Sequence, residues 1–256
     1  GGGGPGCSGK ARWSRAVIDM TWERQVGPSC GLAALRVLRR FLAEARDARV
    51  ARAGAGTAPT GGAAPVGTMP DGDALPKGWD AKVIRPSSEL LAADASLLEA
   101  AKSRGFSKEG ELFSVDYFAE LGADSTGVPM VVARISPRVI FDSLKAGRPV
   151  AVAYDQDPNT HLPCLKGGSA AHWALIRGFA SRDSTMDEDL GSRRNFLLLL
   201  SHSLSPRPLV CSFESLAASN AQLALVKTNE KGVGRWAIPG GGMKLSGYCA
   251  VSSGCC

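Results

Sequence analysis

The clearest pattern of hydrophobic and polar positions begins at Ser29. From there hydrophobic residues recur at spacings of three and four, with arginines and a glutamate between them. The hydrophobic set is Leu32, Leu35, Leu38, Phe41 and Leu42. This spacing is typical of one face of an amphipathic helix. Because Gly27-Pro28-Ser29 supplies a turn and a capping hydroxyl just before it, the pattern predicts a helix over residues 29–49.

Later patterns predict shorter helices followed by strands. Helical spacing of hydrophobic residues predicts helices over residues 87–104, 113–121, 137–145 and 213–225. Short runs rich in branched residues predict strands over residues 130–133, 150–154, 172–176 and 196–200. Helices first and strands afterwards indicate an α+β fold, in which a helical part packs on an antiparallel sheet.

Three segments lack these patterns. Residues 53–78 are mostly Gly, Ala, Pro and Thr, which leave almost nothing to bury, and they read as a low-complexity insert. Residues 227–256 contain a glycine run and end in Ser, Gly and Cys. We therefore predict a loose leader over residues 1–20, one domain over 21–226 that contains the insert, and a poorly ordered tail over 227–256.

Composition narrows the class of protein. The chain has 256 residues, of which 44% are hydrophobic and 21% charged, so wholesale disorder is excluded. No stretch approaches the roughly 18 apolar residues of a membrane-spanning helix. The formal charge of +6 would suit an acidic partner, or it marks a solvated helix face. No nucleic-acid-binding module is recognisable. Seven scattered cysteines favour a reducing, cytoplasmic location over a disulfide framework.

Candidate chemistry starts in residues 25–31, which read Gln-Val-Gly-Pro-Ser-Cys-Gly. They place Cys30 in the first turn of the predicted helix. Unpaired backbone N–H groups and the positive end of the helix dipole converge there, so we expect a lowered thiol pKa and a site for an oxyanion. Gln25 can donate its side-chain amide to the same oxyanion. Cys30 is therefore a candidate nucleophile.

A nucleophilic cysteine needs a base, and the chain has three histidines. His172 opens a predicted strand, which can hold its imidazole rigidly. A cysteine followed by a histidine more than a hundred residues later is the order found in papain-like peptidases. Spacing alone also allows a buried structural cysteine and a strand histidine that never meet. His202 is interpreted as a histidine at the surface or at a strand end, without a catalytic role.

Four short blocks of residues follow one another along the chain. They are Gln25-x-Gly27-Pro28-x-Cys30-Gly31-Leu32-x-Ala34-Leu35, Tyr154-Asp155-x-Asp157-x-Asn159, Pro163-Cys164-x-x-Gly167 and Ala171-His172-Trp173-Ala174. Together they resemble the actin maturation protease family, papain-like cysteine peptidases related to the bacteriocin-processing transporter peptidases. The stretch Ser219-Asn220-x-Gln222-Leu223 also resembles a C-terminal segment of that family.

The resemblance implies a papain-like fold and a protease that removes the N-acetylated first residue, Met or Cys, from immature actin and exposes an acidic N-terminus. It implies that Cys30 is the nucleophile, that His172 is the general base and then the acid, and that Gln25 is an oxyanion donor. No metal or organic cofactor is expected, and no membrane or nucleic-acid partner. Whether a profilin-like helper presents actin is left open.

The residues around this pair have several candidate roles. A papain-like site usually has an Asn or Asp that orients the histidine, placed after the next strand, and none stands there in this sequence. Asn195 and Ser201 are the candidate substitutes, beside a backbone carbonyl or the loss of the group. Four residues are candidate substrate contacts: Gly31, Asp155, Asp157 and Trp173. A tight turn is the alternative role for the two aspartates.

Other interpretations use the same residues. A thiol acyltransferase or deamidase would use the Cys30 and His172 pair with a different acceptor. An inactive binding module would keep the fold without the chemistry. His161 and Cys164, three residues apart, could join His172 in a zinc site, but no fourth ligand stands at a standard spacing.

Overall fold

The computed structural model describes residues 14–54, 79–92, 95–181, 196–224, 234–240 and 242–253. In chain order the elements are β1 (Ser14–Val17), α1 (Cys30–Gly54), β2 (Ala81–Ile84), α2 (Leu97–Ser103), α3 (Val115–Thr126), β3 (Met130–Arg134), α4 (Pro137–Lys145), β4 (Val150–Asp155), β5 (Ala171–Ser181), β6 (Phe196–His202), β7 (Ser205–Ser212), α5 (Phe213–Ala221) and β8 (Tyr248–Ser252). This confirms the α+β class, although helices and strands alternate along the chain.

One antiparallel sheet contains all eight of these strands. Its order is β2-β3-β8-β4-β5-β6-β7, and β1 pairs with the second half of β5. Every residue of β4 is buried, so the centre of the sheet is covered on both faces. Helices α1 and α3 pack on each other and reach β5, β3 and β8, whereas α4 and α5 contact β4.

Local sequence explains where the shorter helices begin and end. Ser114 and Ser136 cap α3 and α4, each accepting backbone N–H groups of the first turn on its hydroxyl. Pro137 stands in the first turn of α4, where its missing N–H has no cost. Gly127 ends α3 with φ of 72°, a left-handed conformation that glycine adopts without strain. The predicted bounds of α4 match those observed, whereas α3 begins two residues later and ends five residues later than predicted.

The helix predicted over residues 87–104 is wrong in its first half. Helix α2 begins only at Leu97, after Ser96 caps it. Leu90 is exposed, and the N–H of Leu91 donates to the carbonyl of Asp124. The hydrophobic spacing thus includes residues that are not helical, among them Leu91, whose N–H bonds to α3.

The loose leader and the poorly ordered tail are corrected as well. Within the predicted leader, β1 pairs with β5. Within the predicted tail, β8 lies between β3 and β4 in the middle of the sheet. The β8 segment is short and is preceded by Ser and Gly, so its strand character arises from partners more than ninety residues away. Residues 55–78, most of the predicted insert, lie outside the described residues.

Strands β2 and β7 were not expected either. Strand β7 contains two prolines, which cannot donate to a ladder of hydrogen bonds and therefore argue against a strand. It lies at the edge of the sheet, where prolines are tolerated. In the described ranges no helix combines the length and the apolar character needed to cross a membrane.

Strand β8 offers a test of this arrangement. Val251 is buried between β3 and β4, so Val251→Asp places an unpaired charge in the core and should lower the free energy of unfolding by more than about 4 kcal/mol. Val210 on the edge strand β7 is 57% exposed, and the control Val210→Asp should stay within about 0.5 kcal/mol. Urea unfolding of the native chain and of the two variants measures both changes in the free energy of unfolding. Equal stabilities would contradict the central position of β8.

Candidate active site

The turn before α1 sets the position of Cys30. Gly27 has φ of 63°, which glycine adopts readily, and the hydroxyl of Ser29 donates to the carbonyl of Val26 at 2.7 Å. The N–H of Ala33 then donates to the carbonyl of Ser29 and closes the first helical turn. Cys30 follows as the first residue of α1, half-buried, with the free N–H groups of the helix end around it.

Cys30 and His172 line the same cleft. Its volume is about 250 Å³. Gln25 and Pro28 lie beside Cys30 in its lining, and residues 111–113, 168–173, Trp236 and Met243 complete it. The backbone N–H of Trp173 donates to the Cys30 sulfur, which ties the helix end to the strand that carries His172. The structure therefore brings together four of the residues that the sequence singled out, namely Gln25, Cys30, His172 and Trp173.

The protonation states differ from the expectation. Burial raises the pKa of the Cys30 thiol, and this outweighs the lowering by hydrogen bonds from the backbone N–H groups of Trp173, Gly31 and Cys30. Burial, with the neighbouring His202 and His161, lowers the pKa of His172 to about 3. At neutral pH the free site accordingly holds a neutral thiol beside a neutral imidazole. The lowered thiol pKa that the helix end predicted is not what the structure indicates.

Gln25 is held at the edge of the cleft by the end of β6. Its backbone N–H donates to the carbonyl of Ser203 at 3.1 Å, and its side-chain oxygen accepts the Ser203 hydroxyl at 2.6 Å. Its Nε2 donates to the carbonyl of Gly27 at 3.0 Å. A primary amide nitrogen carries a second hydrogen, so Gln25 can donate to a bound oxyanion while its position stays fixed.

All three histidines of the chain lie in one group. The ring of His172 meets Tyr154 of β4 edge-on, with centroids 6.0 Å apart, and His202 of β6 with centroids 5.8 Å apart. His161 packs against the other side of His202, at 5.3 Å. His202 is 3% exposed and lies beside His172, so it is not a surface histidine, but it is the last residue of β6, as the strand-end alternative predicted. The sequence carried one signal for this contact, since His202 follows the strand predicted over residues 196–200, where papain-like sites usually have the orienting residue.

Asp155 organises the loop that forms one wall of the cleft. Its carboxylate is fully buried and accepts the backbone N–H groups of Lys166, Gly168 and Ala170. The side-chain amide of Gln222 donates to it as well, at 3.2 Å. Four donors satisfy this buried charge. Because no part of Asp155 reaches solvent, its observed role is to hold the loop rather than to contact a substrate.

Side chains of helix α5 make further hydrogen bonds in this network. The hydroxyl of Ser219 accepts the N–H of Asp155 and donates to its carbonyl. The side chain of Asn220 bonds to the carbonyls of Ala153 and Leu245 and accepts the N–H of Gly247. The sequence blocks around residues 154–167 and 219–223 thus meet in space and fix the segment that leads to His172.

Asp157 closes a turn in the same loop. Its carboxylate accepts the N–H groups of Asn159 and Thr160 and pairs with Lys166 at 2.9 Å. The Lys166 ammonium and these N–H groups hold the pKa of the Asp157 carboxyl below its ordinary value. The structure therefore places Asp157 in the turn that the sequence offered as the alternative role.

Gly31 and Trp173 also have packing roles. A Cβ added at Gly31 would lie 3.0 Å from side-chain atoms of both Leu112 and Trp173. These neighbours therefore fill the space beside Gly31 and leave no room there for a substrate. Trp173 is 2% exposed, stacks on Phe118 at 4.4 Å and donates from its indole N–H to the carbonyl of Leu112. Trp173 contributes to the cleft chiefly through its backbone N–H, which bonds to the Cys30 sulfur.

The orienting group has no simple counterpart among the sequence candidates. Asn195 lies outside the described residues. Ser201 pairs with Leu175, and His202 pairs with Ala174, on the same two strands. Because successive residues of a strand point to opposite faces, Ser201 lies on the other face of β6 from His202. His172 shares its face with Ala174, so it is His202 that adjoins it.

Sequence reasoning missed the wall opposite the loop. Glu111 is buried, and its carboxylate accepts the N–H groups of Lys108, Glu109 and Ala237. Burial alone would raise the pKa of Glu111, but these hydrogen bonds hold it below its ordinary value. The bond to Ala237 fixes the segment that carries Trp236, whose ring meets Phe113 edge-on. No spacing in the sequence links these two distant segments.

A metal site was considered for His161, Cys164 and His172. Among the side chains that the structure describes, no group of three or more His, Cys, Asp or Glu is arranged to hold a metal ion.

Comparisons with known proteins bear on this cleft. A family model described as "Actin maturation protease-like, C-terminal domain" matches residues 81–180. The actin maturation protease of Danio rerio is 27% identical over 197 residues, which cover 64% of this chain and 62% of that protein. That of Xenopus tropicalis is 29% identical over 180 residues, covering 60% and 59%. That of Drosophila melanogaster is 33% identical over 131 residues, covering 50% and 45%.

The chain therefore spans between about half and three-fifths of the length of these relatives. No solved structure matches it.

The packing around Gly31 predicts the effect of adding one methyl group. Gly31→Ala forces Trp173 or Leu112 to move, and overpacking of this kind costs about 1–3 kcal/mol. Because the Trp173 N–H bonds to the sulfur, the rate of Cys30 alkylation by iodoacetamide should change too. The control Gly122→Ala in α3 meets Leu35 at 3.2 Å, outside the cleft lining. It should alter stability but leave alkylation of Cys30 unchanged, and a change equal to that of Gly31→Ala would contradict this assignment.

The two buried histidines predict how stability depends on pH. The folded chain keeps His172 and His202 neutral down to pKa values of about 3 and about 4, whereas the ordinary value is 6.5. The unfolded chain therefore binds more protons between these values, and the free energy of unfolding should fall as the pH drops from about 6.5 to 4.5.

Urea unfolding at a series of pH values measures this slope. His202→Phe removes one of the two groups and should make the slope shallower. A slope that is the same in both chains would contradict the buried, neutral state of His202.

Proposed function

We propose that this chain, which is similar to actin maturation proteases over much of its length, is a cysteine protease that removes the N-acetylated first residue, Met or Cys, from immature actin. The observation that carries the proposal is the shared cleft of Cys30 and His172, joined through the N–H of Trp173. The activity, the actin substrate and a cytoplasmic location are part of the proposal.

The first step would form a thioester. The Cys30 sulfur attacks the carbonyl carbon of the acetylated residue while its proton passes to His172, because both groups are neutral in the free site. The developing oxyanion takes hydrogen bonds from the second N–H of Gln25 and from the backbone N–H of Cys30. The imidazolium then gives its proton to the leaving amine, which is the new N-terminus of the shortened protein.

The second step would release the acetylated amino acid. Neutral His172 removes a proton from water, which attacks the thioester carbonyl, and the thiol leaves as it regains that proton. Transfer of the acyl group to an amine or thiol in place of water would make the same pair an acyltransferase. The two outcomes differ only in the acceptor, so both can be read from one experiment.

A basic surface near the cleft would suit an acidic N-terminus. Arg36 and Arg40 of α1 pair with Glu23, and Arg39 donates to the carbonyls of Ala92 and Ala95. The Glu23 carboxylate thus pairs with two of these guanidinium groups and Arg39 bonds only to carbonyls, which leaves an excess of positive charge. Because a helix rises about 1.5 Å per residue, this surface begins about 9 Å along α1 from Cys30, within reach of the residues that follow the scissile bond.

Mass spectrometry of actin N-termini tests the proposal. Unprocessed actin incubated with the native chain should lose its first residue, and Cys30→Ala or His172→Ala should each lower the rate by at least about a hundredfold. Cys164→Ala is the matched control, since Cys164 is also half-buried but does not line the cleft.

Two outcomes would contradict the proposal. Processing that survives Cys30→Ala would exclude the thiol mechanism. A native chain that leaves actin unchanged, although Cys30 reacts faster with iodoacetamide than Cys164, would exclude actin as the substrate. Adding hydroxylamine to the incubation distinguishes hydrolysis from acyl transfer, because a transferase would hand most of the acyl group to this amine.

A further inference from the structure

We propose that His202 is the positioning residue of this site, whose ring holds the His172 imidazole in place and accepts a hydrogen bond from it once His172 has taken the thiol proton. The inference rests on the proposed roles of Cys30 and His172. It assigns to the chain a Cys-His-His arrangement, in which a second histidine stands where papain-like sites usually have an amide or a carboxylate.

The sheet places His202 where it can restrain the His172 ring. Tyr154 lies directly opposite His172 on β4, and His202 lies on β6 opposite Ala174, two residues further along the same face of β5. The His172 ring is edge-on to both, at interplanar angles of 86° and 76°. Contacts from the two flanking strands therefore limit rotation of this ring.

The loop after β4 supplies a third ring behind His202. His161 has φ of 61°, a backbone conformation that is uncommon outside glycine. It is held there because its carbonyl accepts the Tyr154 hydroxyl at 3.0 Å and its N–H donates to the carbonyl of Asp157. The His202 ring thus lies between the rings of His172 and His161.

The hydrogen bonds of these rings are incomplete in the resting site. Nε2 of His172, both ring nitrogens of His202 and Nδ1 of His161 are buried and have no partner within the described part of the chain. Each unpaired buried nitrogen costs free energy. A hydrogen bond from His172 to His202 would become stronger when His172 is an imidazolium, since its N–H then belongs to a cation and the neutral neighbour offers an acceptor.

His202 is suited to be that acceptor. The titratable groups that face His172 are Tyr154 on β4, His202 on β6, His161 in the loop and Cys30 on α1. Burial, and next the charge of His161, lower the pKa of His202 to about 4, so at neutral pH it keeps a ring nitrogen with a free lone pair. The charge effects on His172 come from His202 and then from His161. A hydrogen bond to a neutral ring would stabilise the imidazolium without a carboxylate.

The backbone of His202 is anchored independently of its ring. Its carbonyl accepts the indole N–H of Trp22 at 3.0 Å, and the next residue, Ser203, holds Gln25. A substitution of the side chain therefore leaves the oxyanion donor in place, and an effect on reactivity can be assigned to the ring.

Alkylation of Cys30 by iodoacetamide tests the inference without any protein substrate. Second-order rate constants would be measured from pH 6 to 9 by peptide mapping for the native chain, His202→Phe and His202→Asn, with urea unfolding of each. Phe keeps an aromatic ring but offers no nitrogen, whereas Asn offers an acceptor oxygen.

We expect His202→Phe to lower the rate constant at pH 7 by about tenfold to a hundredfold, the range that one hydrogen bond to a charged group represents. Its stability should equal or exceed that of the native chain, because two unpaired nitrogens are removed. His202→Asn should recover part of the rate. If His202→Phe does not fold, the alkylation rates of His202→Asn and His202→Ala are compared instead, since Asn offers an acceptor oxygen and Ala does not.

Identical pH profiles for the native chain and His202→Phe would overturn the inference. A fall in rate that only follows a fall in stability, to the same extent in Phe and Asn, would overturn it as well, because it would show a purely structural role. Actin processing is measured separately on the native chain. A chain that shows the expected alkylation pattern but leaves actin intact refutes the proposed substrate and keeps the role of His202.

Discussion

The contact between the first turn of α1 and the start of β5 depends on Gly31, which has no side chain. Gly31 lets Leu112 and Trp173 approach the helix backbone to a distance that a Cβ would block. Trp173 is then fixed by its stack on Phe118 and its bond to Leu112, and its own N–H reaches the Cys30 sulfur. Since His172 is the next residue back along β5, this one packing contact sets the positions of both reactive groups.

A second set of contacts prevents the other side of the cleft from moving. The loop between β4 and β5 has few hydrophobic residues to bury, yet Asp155, Ser219 and Gln222 satisfy its backbone groups with side-chain hydrogen bonds. Glu111 does the same for the segment that carries Trp236. Buried carboxylates therefore replace a hydrophobic core where the chain must stay irregular, and the cleft walls are held by polar contacts.

Burial decides the chemistry of the site more than the helix end does. The positive end of α1 favours a thiolate, but desolvation opposes it and raises the thiol pKa, while the same effect keeps His172 and His202 neutral. Charge then appears only when a proton moves from sulfur to imidazole during the reaction. This explains why a neutral histidine can serve beside His172, where an ionised carboxylate would hold a proton on the base in the free site.

The sequence by itself determined the features that depend on neighbouring residues. The three- and four-residue spacing after Ser29 predicted α1 to within a few residues at its start, and the branched runs predicted β3, β4, β5 and β6. The order of the motif residues from Gln25 to His172 indicated which side chains lie close together.

Only the tertiary structure decided the rest, because those features depend on residues far apart in the chain. Residues 248–252 form a strand because they pair with β3 and β4. Strand β7 tolerates its prolines because it lies at an edge of the sheet. The roles of Gly31, Asp155 and Trp173 follow from what packs against them, and His202 adjoins His172 through strand register. Local patterns report hydrophobic periodicity, whereas burial and register arise only when distant segments meet.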